Sequence, residues 1–352
     1  MTIGLRELAG FGWSQHFQSQ LGADEHDSFV PVRVVAVHRN RLDVANPAFE
    51  ASVPSFAPGG DEEGAATIGD WLLLERETRC FARLLERKSL FKRKAAGIER
   101  RMQLIAANID TLLIVTSCNE EFNVARLERY LALARAAGVT PVVALTKADL
   151  AEDRAPFVSQ ALKLMPGLVV ENIDARDPAS ADALRPWCAA GQTLALVGSS
   201  GVGKSTLVNT FLTGAVQATA GIREHDSHGR HTTTGRSLHR LQAGGWLLDT
   251  PGIRELQLAN SEEGVEDVFS DIVALAGHCR FADCKHETEP GCSLRAAIED
   301  GRIDPDRLRR YRKLLAEDAR NSASVRERRA GARSFGRMAR RIMKEKDIGR
   351  RT

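Results

Sequence analysis

Apolar and polar positions along the chain change period twice. Over Phe29 to Glu50 ("FVPVRVVAVHRNRLDVANPAFE") Val-rich positions alternate with charged ones, a Pro/Gly/Glu-rich loop follows, and "TIGDWLLLE" closes the segment. Closely spaced short strands with turn residues between them predict a small antiparallel barrel, preferably OB-like. The same pattern suits another small β domain with no nucleic-acid role. From about Asn108 the texture alternates between strand and helix: "TLLIV" reads as a buried strand, "VARLERYLALARAAG" as a helix stopped by Gly138, and "PVVAL" as a strand again. "LKLMPGLVV", "TLALV" and "GWLLLD" continue this parallel α/β pattern to about Leu258. Beyond it come a Cys/His cluster, an expected helix from Asp306 to Arg320, and a basic tail without a core stripe. No internal repeat is visible.

The strand "TLALV" runs into "GSSGVGKS", and the helical "TLVNTFL" follows. Gly198, Ser199, Ser200, Gly201, Val202 and Gly203 form a loop whose backbone N–H groups can turn inward around the α and β phosphates of a nucleotide, and Thr206 at the start of the helix behind it is expected to bind the nucleotide as well. Lys204 is placed to reach the β and γ oxygens, and the Ser205 hydroxyl to ligate Mg2+. This loop implies a nucleoside triphosphate but neither the base nor the reaction. "DTPG" follows the strand "GWLLLD": Asp249 can hold magnesium through water, and the Gly252 N–H can sense a γ-phosphate. Between the two motifs lies "GIREHDSHGRHTTTGR", where Thr233 is the foremost candidate to complete the magnesium shell; the alternative is a surface loop with incidental threonines.

"TKAD" supplies the base preference. Asp149 can accept from the N1 and N2 donors of guanine, whereas adenine presents an acceptor at N1 and no amino group beside it, so the wrong base leaves a buried polar group unpaired. The Lys147 stem is expected over the base plane. Thr146 stands where many GTPases have Asn. "IDARD", Ile173 to Asp177, is expected to pack beside the base. This base-reading motif precedes the phosphate loop, the reverse of the usual order. Joining the old termini of a domain and opening it elsewhere changes chain order but not spatial order.

Composition narrows the class. A chain of 352 residues with 43% hydrophobic content has enough core for two or three domains and is not a disordered protein. The start "MTIGLRELAG" lacks a basic segment followed by an apolar run, and no run of about 18 apolar residues occurs, so a soluble, cytoplasmic protein without a membrane partner is expected. Cys80, Cys118 and Cys188 are scattered while Cys279, Cys284 and Cys292 crowd together, which favours a metal site over a disulfide framework. The net charge of +3 conceals basic runs at "ERKSLFKRK" and from Arg307 onward. Such runs are commonly solvated faces, but two of them bracketing a phosphate-handling domain point to RNA.

A base reader ahead of the phosphate loop, then "RHTTT", "DTPG" and a Cys/His cluster, resembles the RsgA (YjeQ) family of circularly permuted GTPases dependent on the small ribosomal subunit. The resemblance implies residues 1–95 as a lead and OB-fold RNA-binding domain, 96–262 as a permuted P-loop GTPase with a mostly parallel sheet, and 263–352 as a zinc-binding helical domain with a basic tail. It implies GTP hydrolysis to GDP in late maturation of the small subunit, stimulated by that subunit, with rRNA contacts and a monomeric enzyme. "CRFADCKHETEPGC" offers Cys279, Cys284, His286 and Cys292, a closed set suited to one structural Zn2+. His278 competes with His286 on spacing, and the family pattern points to His286. Ile253 stands where many GTPases place a water-orienting Gln, and His231 resembles the family's catalytic histidine; ordering its loop or touching RNA is the alternative role. Two other classes remain open at this point: a P-loop ATPase or kinase acting on a small molecule, and an RNA-binding protein with vestigial GTPase activity. Because the segment after Gly252 enters the zinc domain directly, nucleotide state is expected to reorient that domain.

Overall fold

Alternate residues of single strands feed different cores throughout the chain. The computed structural model describes residues 4–55, 64–94, 102–212, 236–249 and 257–322. Three short helices, α1 (Leu5–Gly10), α2 (Gln15–Gln18) and α3 (Glu25–Ser28), lead into β1 (Phe29–Val37), β2 (Arg41–Ala45), β3 (Glu50–Pro54), β4 (Trp71–Glu75) and β5 (Phe81–Leu84). All their pairings are antiparallel: β1 with β2 and β4, β2 with β3, β4 with β5. Leu72 and Leu74 pack with Val30, Val32, Val34, Leu42, Val44 and Val53 inside this OB-like unit. Trp71 and Leu73, pointing the other way, pack under Leu8, Trp13 and Phe17 of the lead. The uninterrupted apolar run "WLLL" is explained by burial on both faces.

A hairpin of β6 (Leu90–Lys94) and β7 (Met102–Ala107) follows, carrying part of the first basic run. Then come β8 (Thr111–Ser117), α4 (Val124–Ala136), β9 (Thr140–Thr146), α5 (Ala155–Leu162), β10 (Val169–Asn172), α6 (Pro178–Ala181), a tight 3-10 turn (Asp182–Cys188), β11 (Thr193–Val197) and α7 (Lys204–Leu212). Asn123 caps α4 by accepting the Arg126 N–H at 2.9 Å, and Gly138 leaves it with φ +72°. Finally β12 (Arg236–Arg240) runs antiparallel to β13 (Trp246–Asp249). The strand order is β10-β9-β8-β11-β13-β12, and all neighbours from β10 to β13 are parallel. Leu112 and Ile114 of β8, Val143 and Leu145 of β9, and Ala195 and Val197 of β11 face the α4 side. Leu113, Val115, Val142, Ala144, Leu194 and Leu196 face α7 and the 3-10 turn. A parallel sheet covered on both faces is the arrangement that near-continuous apolar strands require.

The sheet continues into the N-terminal unit, because β12 pairs with β1 through Ala36↔Ser237 and Val37↔Arg236. Arg33 pins the same seam. Its buried guanidinium donates to the Phe11 carbonyl at 2.8 Å, to Thr193 Oγ1 at 2.7 Å and to the Asn108 carbonyl at 3.3 Å. Burial lowers its pKa to about 10, with Asp110 and Asp70 opposing the shift, so it stays charged at neutral pH.

The C-terminal helices α8 (Glu262–Val268), α9 (Ser270–Ala276), α10 (Ser293–Glu299) and α11 (Pro305–Ser322) do not form a core of their own. Val265, Val268, Phe269, Ile272, Leu294 and Ala297 join Leu127 and Leu131 of α4 in one cluster. At Gly264 a Cβ would stand 2.3 Å from the Ala132 carbonyl oxygen, so only glycine lets α8 lie this close to α4. Beside this contact, Arg307 donates to both oxygens of Asp271 at 2.8 Å and to Glu128 Oε1 at 3.2 Å, while Arg310 donates to Glu128 Oε2 at 2.7 Å. Glu128 is fully buried; desolvation pushes its carboxyl up, and Arg310 and Arg307 pull it back. Among the described residues no helix is long and apolar enough to cross a membrane.

Candidate functional site

Because β10, β9, β8, β11 and β13 are parallel, the loops after them open on one edge of the sheet, where α/β proteins bind ligands. The loop after β11 turns at Gly198, φ +147°, where a Cβ would lie 2.2 Å from the Val115 carbonyl oxygen. Gly201 and Gly203 also adopt positive φ, and Val202 is buried beneath the loop. Lys204, the first residue of α7, is buried and its Nζ donates to the Ser199 carbonyl oxygen, spanning the loop. Ser199 Oγ is buried without a hydrogen-bond partner among the described residues, which suits a loop built around a polar ligand. Ser205 and Thr206 lie exposed on the first turn of the nine-residue α7. Their position at a helix N-terminus, over a ring of loop N–H groups, can hold phosphates and the magnesium that accompanies them.

The loop after β9 carries Thr146, Lys147 and Asp149. Thr146 is fully buried, and its hydroxyl donates to the Val202 carbonyl at 2.6 Å, with the Thr116 carbonyl at 3.1 Å. It therefore fastens the loop after β9 to the glycine-rich loop after β11. Lys147 holds φ +56°, unusual for a side chain of its length and a sign that neighbouring contacts determine the turn. Asp149 is exposed at the tip, and its Oδ2 accepts from Arg176 Nη2 at 2.8 Å. The "IDARD" segment after β10 is thus beside it. Thr210 of α7 anchors that segment by donating to the Ala175 carbonyl at 2.7 Å. Sequence reasoning named this loop but not Arg176, because nothing local marks one arginine as facing a carboxylate 27 residues away. Backbone pairing ends β13 at Asp249, one strand from β11. His231, Thr233 and Gly252 lie outside the described residues.

A second cluster stands apart in the C-terminal unit. Cys279, Cys284, His286 and Cys292 bring their ligand atoms within 4.8 Å of one another. Cys279 Sγ lies 3.9 Å from Cys292 Sγ and 3.4 Å from His286 Nδ1, and Cys292 Sγ lies 3.5 Å from His286 Nδ1. A tetrahedral metal with thiolate bonds of about 2.3 Å sets sulfur–sulfur edges of about 3.8 Å, so the four groups fit a metal ion. His286 takes φ +60°, and Arg312 of α11 donates to the Lys285 and His286 carbonyls at 2.8 Å each, holding the turn. His278 is outside the set, its Nδ1 lying 2.7 Å from the Ala274 carbonyl oxygen.

Two solved structures share this architecture: YjeQ from Thermotoga maritima, 22% identical with a TM-score of 0.61 over 82% of this chain and 98% of that one, and YloQ, described as a circularly permuted GTPase, 22% identical with a TM-score of 0.60 over 86% and 99%. With the phosphate loop and base loop side by side in space but reversed along the chain, the fold is that of a circularly permuted P-loop GTPase. The family profile described as RsgA GTPase matches residues 84–259. The protein named small ribosomal subunit biogenesis GTPase RsgA 2 in Vibrio parahaemolyticus is 49% identical over 96% of this chain and 93% of its own; the RsgA protein of Mesorhizobium japonicum is 49% identical over 92% and 93%. The chain belongs to the RsgA GTPase family, whose enzymes hydrolyse GTP.

Proposed function

We propose that this GTPase acts in late maturation of the small ribosomal subunit, that the subunit stimulates its hydrolysis of GTP to GDP and phosphate, and that it works as a cytoplasmic monomer. The observation that supports the reading is the Thr146–Val202 hydrogen bond, which ties the T-K-A-D loop to the glycine-rich loop in a chain 49% identical, over 96% of its length, to a relative named for small-subunit biogenesis.

In this scheme the loop from Gly198 to Gly203 binds phosphates through its N–H groups, Lys204 reaches the β and γ oxygens once it leaves the Ser199 carbonyl, and Asp149 reads the N1 and N2 donors of guanine. Ser205 and Thr233 would hold Mg2+, which would supply positive charge beside the phosphates, and Gly252 would sense the γ-phosphate through its N–H. Thr206 supports the helix start and Asp249 the magnesium water. His231 orients or deprotonates the attacking water, because Ile253 has no hydrogen-bonding side chain for that task. The Cys3His set holds one structural Zn2+: three thiolates and an imidazole satisfy tetrahedral zinc and leave no open position. The barrel within residues 1–95 and the helical unit within 263–352 contact rRNA around the GTPase domain at 96–262.

The test is GTP hydrolysis by the full chain alone, with purified small subunits and with large subunits. Stimulation by small subunits only is expected; equal rates in all three would reject the reading. His231→Ala should abolish the stimulated rate while GDP still binds, and retained stimulation would remove His231 from the reaction.

A further inference from the structure

We propose that Arg176 is a positioning residue for guanine recognition: it holds the Asp149 carboxylate in the orientation that meets both donor groups of the base. The inference deepens, and rests on, the assignment of Asp149 as the base reader.

Sheet register brings the two residues together. Leu145 of β9 is paired with Asn172 of β10, and Asp149 and Arg176 each lie four residues past that pair on adjacent parallel strands. Arg176 is itself held from behind. Its backbone N–H donates to Asp174 Oδ1 at 2.9 Å and its Nε to the same oxygen at 3.3 Å, while the Asp174 N–H donates to Ser180 Oγ at 2.8 Å. The guanidinium then presents Nη2 to Asp149 Oδ2 at 2.8 Å. Asp174, Arg176 and Asp149 therefore form a relay in which a planar, rigid donor fork connects two carboxylates. An exposed aspartate at a loop tip otherwise samples several rotamers, and the Arg176 contact selects among them. A carboxylate offers about four lone-pair positions, so one Arg176 contact leaves room for the two bonds guanine needs. Because Arg176 is 67% exposed, its removal does not threaten the core.

The experiment compares GDP with IDP, whose base lacks the exocyclic amino group, by displacement of a fluorescent GDP analogue from the full-length protein. Arg176→Ala is expected to weaken GDP about two- to fivefold, the upper range for an exposed ion pair, and IDP less, narrowing the preference for GDP. The wild-type preference should shrink with added salt and that of Arg176→Ala should not. Arg176→Lys should restore only part of the loss, since an ammonium cannot join Asp174 and Asp149 through a planar fork. Unchanged GDP affinity, tighter GDP binding, equal weakening of GDP and IDP, or full rescue by lysine would each overturn the proposal. Asp149→Asn separates the two levels. If it leaves the guanine preference intact, the base-reading assignment fails; if it destroys that preference while Arg176→Ala has no effect, only the role of Arg176 fails.

Discussion

The N-terminal barrel is joined to the GTPase sheet by backbone, whereas the C-terminal helices are joined to it by side chains. On one side β1 is a ladder neighbour of β12, and Arg33 crosses the seam to the Asn108 carbonyl and Thr193 Oγ1. On the other, α8 lies on α4 through Gly264, and Arg307 and Arg310 converge on the buried Glu128. The difference matters because β12 begins where residues 213–235 end, the stretch that includes His231 and Thr233, while α4 lies between β8 and β9 and follows no phosphate-contacting loop. Displacing β12 strains a shared ladder and so reaches the barrel directly. Rotating the unit that carries the Cys/His cluster against the sheet requires breaking buried ion pairs, at about 3–5 kcal/mol when one partner is removed. Any reorientation of this unit by nucleotide state must therefore work against a seat with a continuous core.

Three variants break or sharpen this contrast, in descending order of effect. Cys284→Ser, or removal of the metal by a strong chelator, should unfold the turn between α9 and α10 outright, because structural sites contribute their binding free energy to folding. Limited proteolysis should cut within residues 277–292 while GDP affinity stays within about twofold, since the cluster sits on side-chain attachments away from the nucleotide edge. Glu128→Ala removes the buried carboxylate that Arg310 and Arg307 share, leaving Arg307 only the Asp271 carboxylate, and should cost about 3–5 kcal/mol in urea unfolding. Arg33→Ala should cost less, about 2–3 kcal/mol, from the acceptors left unpaired at the seam. It should nevertheless change stimulated GTP hydrolysis more than Glu128→Ala does, measured at a temperature where both remain folded. The reverse ranking of hydrolysis would mean that the C-terminal seat carries the coupling.

Much of the site was readable before any coordinates, for a local reason. A phosphate loop must place glycines, lysine and serine within eight consecutive residues, and a closed metal site draws its ligands from Cys279 to Cys292. The strands "TLLIV", "PVVAL" and "TLALV" announce themselves because burial on both faces demands continuous apolar runs. Less is visible in "LKLMPGLVV", of which only Val169 and Val170 are strand, since its first residues complete a helix and a turn. The helices α8 to α10 were missed because short helices carry too few periods to register. The presence of Thr146 in place of asparagine raised a question that only its 2.6 Å bond to Val202 resolves.

What the sequence by itself determined was the chemistry: which residues can hold phosphate, guanine and metal, and that their order along the chain is permuted. Tertiary structure alone decided which strands are neighbours, that β12 serves both the GTPase sheet and the barrel, and that Arg176 faces Asp149. The reason is physical. Ligand chemistry is specified by residue type over a few positions, whereas register and helix seating depend on shape complementarity between distant segments, 160 residues apart for Arg33 and Thr193, and no local period encodes that.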